Sequence, residues 1–318
     1  MTSTYEQITQ WDSDWAERFP KRISGAQKER FLAELESLLQ ARGWPTKRIT
    51  SGRLIRNRLL LTECERPSII FLAHYDTPTM LPFWISWLFQ AWGHTRQISG
   101  IVILLVLMQL PQWITAVFPD FAPLGLLSIL INLVIMLSFV VIFIPNPRNR
   151  EDNTSGVLGL MALADALKAQ PELRERVQLI FLDNEEWGLL GSLALKGIWD
   201  SEGYPYQQAD IINLDCIGRG QIPLLVYHKH DGLAQKLLPA LRAHLPETKP
   251  MDMGLMPLSD NYTFRKQGAV DISFADRTLF PGGYYIPRIH TPRDDDFTPD
   301  RFWPLIQALG DYVNNRAG

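Results

Sequence analysis

The chain has 318 residues, with 31 Lys and Arg against 34 Asp and Glu, a formal net charge of −3, and a hydrophobic fraction of 46%. This near balance, with no long basic run, excludes the usual electrostatic basis for nucleic acid as the main partner. The only cysteines, Cys64 and Cys216, are far apart and lack CxxC spacing, so neither a disulfide framework nor a thiolate metal centre is indicated.

From the N-terminus, residues 1–19 carry early acids and no apolar core of the kind a cleaved secretion signal needs. Residues 25–42 place Phe31, Leu35, Leu38 and Leu39 on one helical face, with Gly43 as a stop signal. The run 68–73 is short and continuously apolar, as in a strand buried on both faces.

The character then changes over residues 81–145. No charged side chain occurs between Arg96 and Asp120, nor between Asp120 and Arg148, and each interval holds the roughly 20 apolar residues that cross a bilayer as a helix. We expect spans at about 98–118 and 124–144, joined by the short Pro119-Asp120-Phe121-Ala122-Pro123 connection. The same runs also suit a pair of buried core helices, but two adjacent charge-free stretches of membrane length favour the hairpin. Pro111 in the first span is tolerated in a membrane helix and kinks it. Arg96, Arg148 and Arg150 flank the hairpin while its tip carries only Asp120. By the positive-inside rule the tip points out of an inner or plasma membrane, and the rest of the protein stays in the cytoplasm. The preceding 81–92 is too short to span, but its three Trp suit the headgroup layer.

Beyond the hairpin, strand-like runs at 177–183, 210–215, 223–228 and 270–275 alternate with helical patterns at 155–169, 189–198, 232–244 and 299–314. Alternation of this kind predicts an α/β fold: a mostly parallel, mixed central sheet with helices on both faces. Residues 1–80 and 146–318 then form one discontinuous domain, interrupted by the 81–145 hairpin.

The chemistry-bearing residues cluster at strand exits, where ligands of such sheets collect. Run 68–73 leads into His74-Tyr75-Asp76, run 177–183 into Glu185-Glu186, and run 210–215 ends on Asp215. The loop after 270–275 reaches His290, and Asp152 stands immediately before a helix. Singly, each has a plainer reading: a hydrogen-bonded core histidine, a helix N-cap, or a solvated helix start. Together they are nitrogen and carboxylate-oxygen donors without sulfur, the ligand set of zinc or a similar dication. Converging carboxylates without a cation would repel one another and raise their pKa values.

In order, His-Tyr-Asp, Asp-Asn-x-Ser-Gly, Asn-Glu-Glu-x-Gly-Leu-x-Gly-Ser, Asn-Leu-Asp-x-Ile-Gly and His-Thr-Pro-x-Asp resemble the zinc-dependent aminopeptidase family of clan MH. That family includes bacterial leucyl aminopeptidases and the catalytic domain of glutamate carboxypeptidase II. The resemblance implies a zinc exopeptidase that trims N-terminal residues from peptides. It places one zinc on His74 and Asp215, a second on Glu186 and His290, and Asp152 as a bridge between them; cobalt and manganese also suit these donors. Glu185 becomes the general base, and Asp76 orients His74 from behind.

The chain departs from the family pattern at Ser259-Asp260-Asn261, where Ser-Asp-His is common, so this segment's part in the substrate pocket is not carried over. Gly282-Gly283-Tyr284-Tyr285 is either a phenol source for the oxyanion or a glycine turn with packing tyrosines. The hairpin lies between the His74 and Asp152 segments, so its ends are expected near the site. A catalytic mouth at the membrane surface, favouring small, apolar or membrane-delivered substrates, follows as a hypothesis. Two readings compete: a glutaminyl cyclase, built on the same scaffold with one metal ion, and a non-catalytic membrane scaffold.

Overall fold

The computed structural model describes residues 4–118, 120, 122–254 and 258–317. Of the expected hairpin tip, Pro119 and Phe121 lie outside the described residues. The strands are β1 (Thr46–Ser51), β2 (Asn57–Thr62), β3 (Ile69–His74), β4 (Val177–Leu182), β5 (Asp210–Leu214), β6 (Ile222–Tyr227), β7 (Lys249–Asp252), β8 (Val270–Arg277) and β9 (Tyr284–Tyr285). The helices are α1 (Thr4–Arg18), α2 (Gly25–Gln40), α3 (Phe83–Trp92), α4 (Gln97–Val117), α5 (Ala122–Ser138), α6 (Gly156–Ala166), α7 (Pro171–Arg174), α8 (Leu190–Glu202), α9 (Gly232–His244) and α10 (Pro299–Ala317).

The sheet runs β1-β2-β4-β3-β5-β8-β6-β7, with β9 paired to β8. Its centre, β4-β3-β5-β8, is parallel, and the flanking pairs β1/β2, β2/β4 and β6/β8 are antiparallel. This is the mixed α/β sheet expected. The central strands β3, β4 and β5 are buried at every residue, which is why their sequences read as continuous apolar runs and not as alternation. Edge strand β1, half-exposed and carrying Lys47 and Arg48, has no such run to announce it.

Helices cover both faces. One face buries Ile8, Trp11 and Trp15 of α1, Phe31 and Leu35 of α2, and α6, α9 and α10 in a single large core. The other packs Trp199 of α8 with Tyr206 and Phe264 against Leu59, Ile70 and Ile180. Helix α1 spaces its apolar residues at helical intervals, yet it lies in the stretch that the sequence marks mainly by what it lacks. Ser24 starts α2 through a capping box with Gln27.

Between β3 and β4 the chain leaves the sheet and returns. Two helical stretches, Ser99–Val117 and Gly125–Phe143, are long and apolar enough to cross a membrane, and only 6% of each window is buried. The buried core pair that their sequence also allows is therefore not what forms: Val106, Leu107, Leu127, Ile131 and Val134 project outward. The neck of this excursion is closed by an isolated bridge between Thr79 and Pro145, with Met80 N–H donating to the Ile144 carbonyl at 2.9 Å and Asn146 N–H to that of Pro78 at 2.8 Å. Leu81 N–H donates to the His290 carbonyl at 3.0 Å, so the root of the excursion touches the loop carrying His290.

Candidate active site

The carboxyl ends of β3, β4 and β5 deliver side chains into one cluster. His74 closes β3, and its Nε2 lies 3.3 Å from Asp152 Oδ1 and 3.6 Å from Asp215 Oδ1. His290 Nε2 lies 3.3 Å from the other oxygen of Asp152 and 3.9 Å from Glu186 Oε2. All five residues that the sequence offers as ligands are thus brought together, and Glu185 lines the same cavity as Asp152, Glu186, Asp215 and His290.

These separations bear on what the cluster holds. Charge-assisted hydrogen bonds run at about 2.7–2.9 Å, and the imidazole–carboxylate pairs are longer. A tetrahedral zinc with bonds of about 2.0–2.2 Å sets its donors roughly 3.3–3.6 Å apart. Asp152, His74, Asp215 and His290 match that edge length, and Asp152 turns one oxygen to each imidazole, as a bridging carboxylate does. The donor set fits zinc.

The backbone is shaped to aim these groups. Asn184, Cys216 and His290 adopt the left-handed conformation that non-glycine residues seldom take, at φ 54°, 59° and 56°. Asn153 ties two ligand segments: its Nδ2 donates to the Leu214 carbonyl at 2.9 Å, and its Oδ1 accepts from Gly156 N–H at 2.9 Å and Cys216 N–H at 3.2 Å. Helix α6 then approaches β5 so closely that a Cβ on Gly156 would sit 2.2 Å from the Leu214 carbonyl oxygen. Likewise a Cβ on Gly191 would sit 1.9 Å from that of Asp183, so both motif glycines are fixed by close approach.

Asp76 acts in two directions. One oxygen lies 3.3 Å from His74 Nδ1 and accepts Glu185 N–H at 3.1 Å, and the other takes Glu186 N–H at 3.4 Å. It therefore holds the β4 exit loop as well as facing the histidine. Burial and the neighbouring Glu186 push Glu185 well above the carboxylate range, and burial with Asp152 does the same to Glu186. Burial also acts upward on Asp215, but His74 and the Ser259 hydroxyl, 2.6 Å from Oδ2, bring it below its ordinary value. Four carboxylates in this space need the compensation that a dication supplies.

Several residues here had no assigned role in the sequence reading. Thr79 accepts from His290 Nδ1 at 2.8 Å through its carbonyl, with Nε2 turned to the carboxylates. Asp294, fully buried, accepts Glu151 N–H at 2.7 Å and Asp152 N–H at 3.2 Å. It closes the His-Thr-Pro-x-Asp motif, and that position was its only signal. Arg22 is buried behind Asp152, donating to Thr154 Oγ1 at 2.9 Å, and its burial lowers its pKa to about 10. Ser259, from the segment that departs from the family pattern, steadies Asp215, and Asn261 lines the cavity beside it. Cys216 joins Asp152 and Asp215 at ligand range, and burial keeps it a thiol that donates to Asp215 at 3.2 Å. Tyr284 and Tyr285 both line the cavity.

Residues 150–314, more than half of the chain, match the model of peptidase family M28. No curated protein is significantly similar in sequence. Among solved structures, the fold is similar to the LapA aminopeptidase of Legionella pneumophila, with a TM-score of 0.62 and 13% identity over 98% of this chain and 70% of that one. It is also similar to a glutaminyl cyclase of Porphyromonas gingivalis, at 0.63 and 15% over 98% of each chain. A Zn-dependent exopeptidase of Parabacteroides distasonis gives 0.61 and 14% over 98% and 97%. At these identities the likeness is one of fold.

Proposed function

The chain belongs to peptidase family M28, and on that premise we propose that it is a membrane-anchored zinc aminopeptidase that releases N-terminal residues from peptides. His74 and Asp215 would hold one zinc, Glu186 and His290 a second, and Asp152 would be shared between them. The observation that carries this reading is the placement of the two Asp152 oxygens, each 3.3 Å from a different imidazole, with Glu185 on the wall of the same cavity.

When bound, zinc supplies Lewis acidity, making water acidic near neutral pH and polarising the scissile carbonyl. Glu185 removes a proton from the attacking water as its oxygen adds to the carbonyl carbon. It passes that proton to the amine nitrogen as the C–N bond breaks, giving a free amino acid and a shortened peptide. Asp76, through the Glu185 and Glu186 amides, keeps base and ligand in fixed relation.

Residues 1–80 and 146–318 form the catalytic domain, and 81–145 is the anchor, crossing the bilayer twice. The outward apolar faces of α4 and α5 support this, and Arg96 and Arg148 near its root favour a cytoplasmic catalytic domain. A one-zinc glutaminyl cyclase is the second reading, favoured by the fold likeness to the Porphyromonas gingivalis enzyme.

Metal analysis of detergent-purified protein, coupled to aminoacyl reporter substrates and peptides with N-terminal glutamine, separates the two. The aminopeptidase reading expects two zinc ions per chain, release from the reporters, and loss of that release on chelation. One zinc with cyclisation of glutamine and silent reporters would overturn it.

A further inference from the structure

The cavity over the carboxylate cluster has a volume of about 930 Å³, near the upper end of the roughly 300–1,000 Å³ that encloses a whole drug-sized ligand. Its lining includes Glu185, Asp215 and His290 together with an apolar wall of Leu88, Leu104, Met108, Ile135, Met136 and Phe139. Those wall residues come from α3, α4, α5 and the turn after α5, so one continuous space joins the hydrolytic groups to the inner face of the apolar hairpin.

The wall's chemistry selects what fills it. Each residue of an extended peptide brings one N–H and one C=O, and leaving such a group buried without a partner costs about 1–3 kcal/mol. Among the described residues of α4 and α5 the cavity meets only Gln109 and Asn132 as polar side chains, and the Asn132 amide already donates to the Ser128 carbonyl at 2.9 Å. A polypeptide several residues long therefore finds almost nothing there to satisfy its backbone. A hydrocarbon chain has no such requirement and gains with every methylene enclosed.

We propose that the substrates are amides bearing one long unbranched hydrocarbon chain, held between α3, α4 and α5 while the scissile bond lies at Glu185. This rests on the hydrolytic reading above and narrows its substrate class. Water adds to the amide carbon, the C–N bond breaks, and the products are a carboxylic acid and an amine, with Glu185 carrying the proton to nitrogen. The hydrocarbon sits on either the amine or the acid side of that bond, and the substrates below distinguish the two.

The test measures kcat/KM of the full-length zinc-loaded protein on leucine butyl-, octyl- and dodecylamide, and on the matching N-acyl leucines, below their aggregation limits. Expected is a rise of roughly two- to fourfold per added methylene in one of the two series. Met108→Trp and, independently, Ile135→Trp should move the optimum to shorter chains. Inhibition of leucine-reporter turnover by free alkylamines and fatty acids, which requires no variant, should strengthen with length in the wild type. Rates and inhibition independent of chain length, with the reporter still cleaved, would overturn the proposal and leave the peptidase reading intact. An optimum unmoved in both folded variants would also overturn it, because the chain would then be binding elsewhere. Failure to cleave any amide, reporter included, removes both readings.

Discussion

On the sheet side of the cavity, functional side chains are gripped from more than one direction, whereas the opposite wall is held mainly by packing. Asp76 meets His74 and two backbone amides, His290 is anchored by Thr79, and Asp215 by Ser259. Across from them, side-chain hydrogen bonds among the described residues of the excursion are few. Trp84 Nε1 donates to Ser138 Oγ at 2.9 Å, and a small polar group around Ser128 and Asn132 joins α5 to α4. A misplacement of one ångström is severe where bonds break, so that wall is over-determined. A wall that only encloses apolar groups needs volume and dispersion contacts, which tolerate adjustment.

Replacing Glu185, the proposed base, should have the largest effect. Glu185→Gln keeps the shape of the side chain but removes its capacity to take a proton, so kcat is expected to fall about 10²–10⁴-fold with zinc content unchanged. Zinc analysis and reporter kinetics check this together, and a variant that remains active would move the base elsewhere on the sheet wall.

Asp294→Asn probes how far the sheet wall depends on its buried supports. The amide offers one acceptor where the carboxylate serves both Glu151 and Asp152 N–H groups, so Asp152 should lose its aim. Zinc affinity is expected to weaken about 10–100-fold, read by competition with a chromogenic chelator; an unaltered affinity would mean that Asp152 is held by its other contacts alone.

The smallest effect belongs to the apolar side. His94, in the turn that follows α3, lines the cavity, accepts Ile286 N–H on Nδ1 at 3.1 Å, and is held neutral by burial, which lowers its pKa to about 3. The unfolded chain takes up this proton below its ordinary value of 6.5, and the folded one does not until about 3. The contribution to stability is therefore full above 6.5 and declines as pH falls toward 3. His94→Phe should flatten the pH dependence of the melting temperature in that window. Equal slopes for wild type and variant, with the carboxylates common to both, would show the imidazole to be protonated in place.

Much of this was legible in the residues alone. The hairpin is written in the charge-free intervals on either side of Asp120, and β3, β4 and β5 in apolar runs whose exits carry His74, Glu185-Glu186 and Asp215. Burial and periodicity are local properties, so local sequence records them. Strand β1 and helix α1 were less legible: β1 is a half-exposed edge without a continuous apolar run, and α1 buries only a narrow face.

Only the tertiary structure decided which atom meets which. Nothing near Asp294 in sequence says that its oxygens serve amides 142 and 143 residues away, nor near Thr79 that its carbonyl fixes the tautomer of His290, 211 residues on. The chamber joining His290 to Met108 and Ile135 is likewise invisible in any window of sequence, because its lining comes from segments far apart in the chain. Sequence determined what kinds of surface and donor this chain possesses; chain closure over long separations determined their partners, because hydrogen-bond and ligand geometry depends on positions that no local pattern encodes.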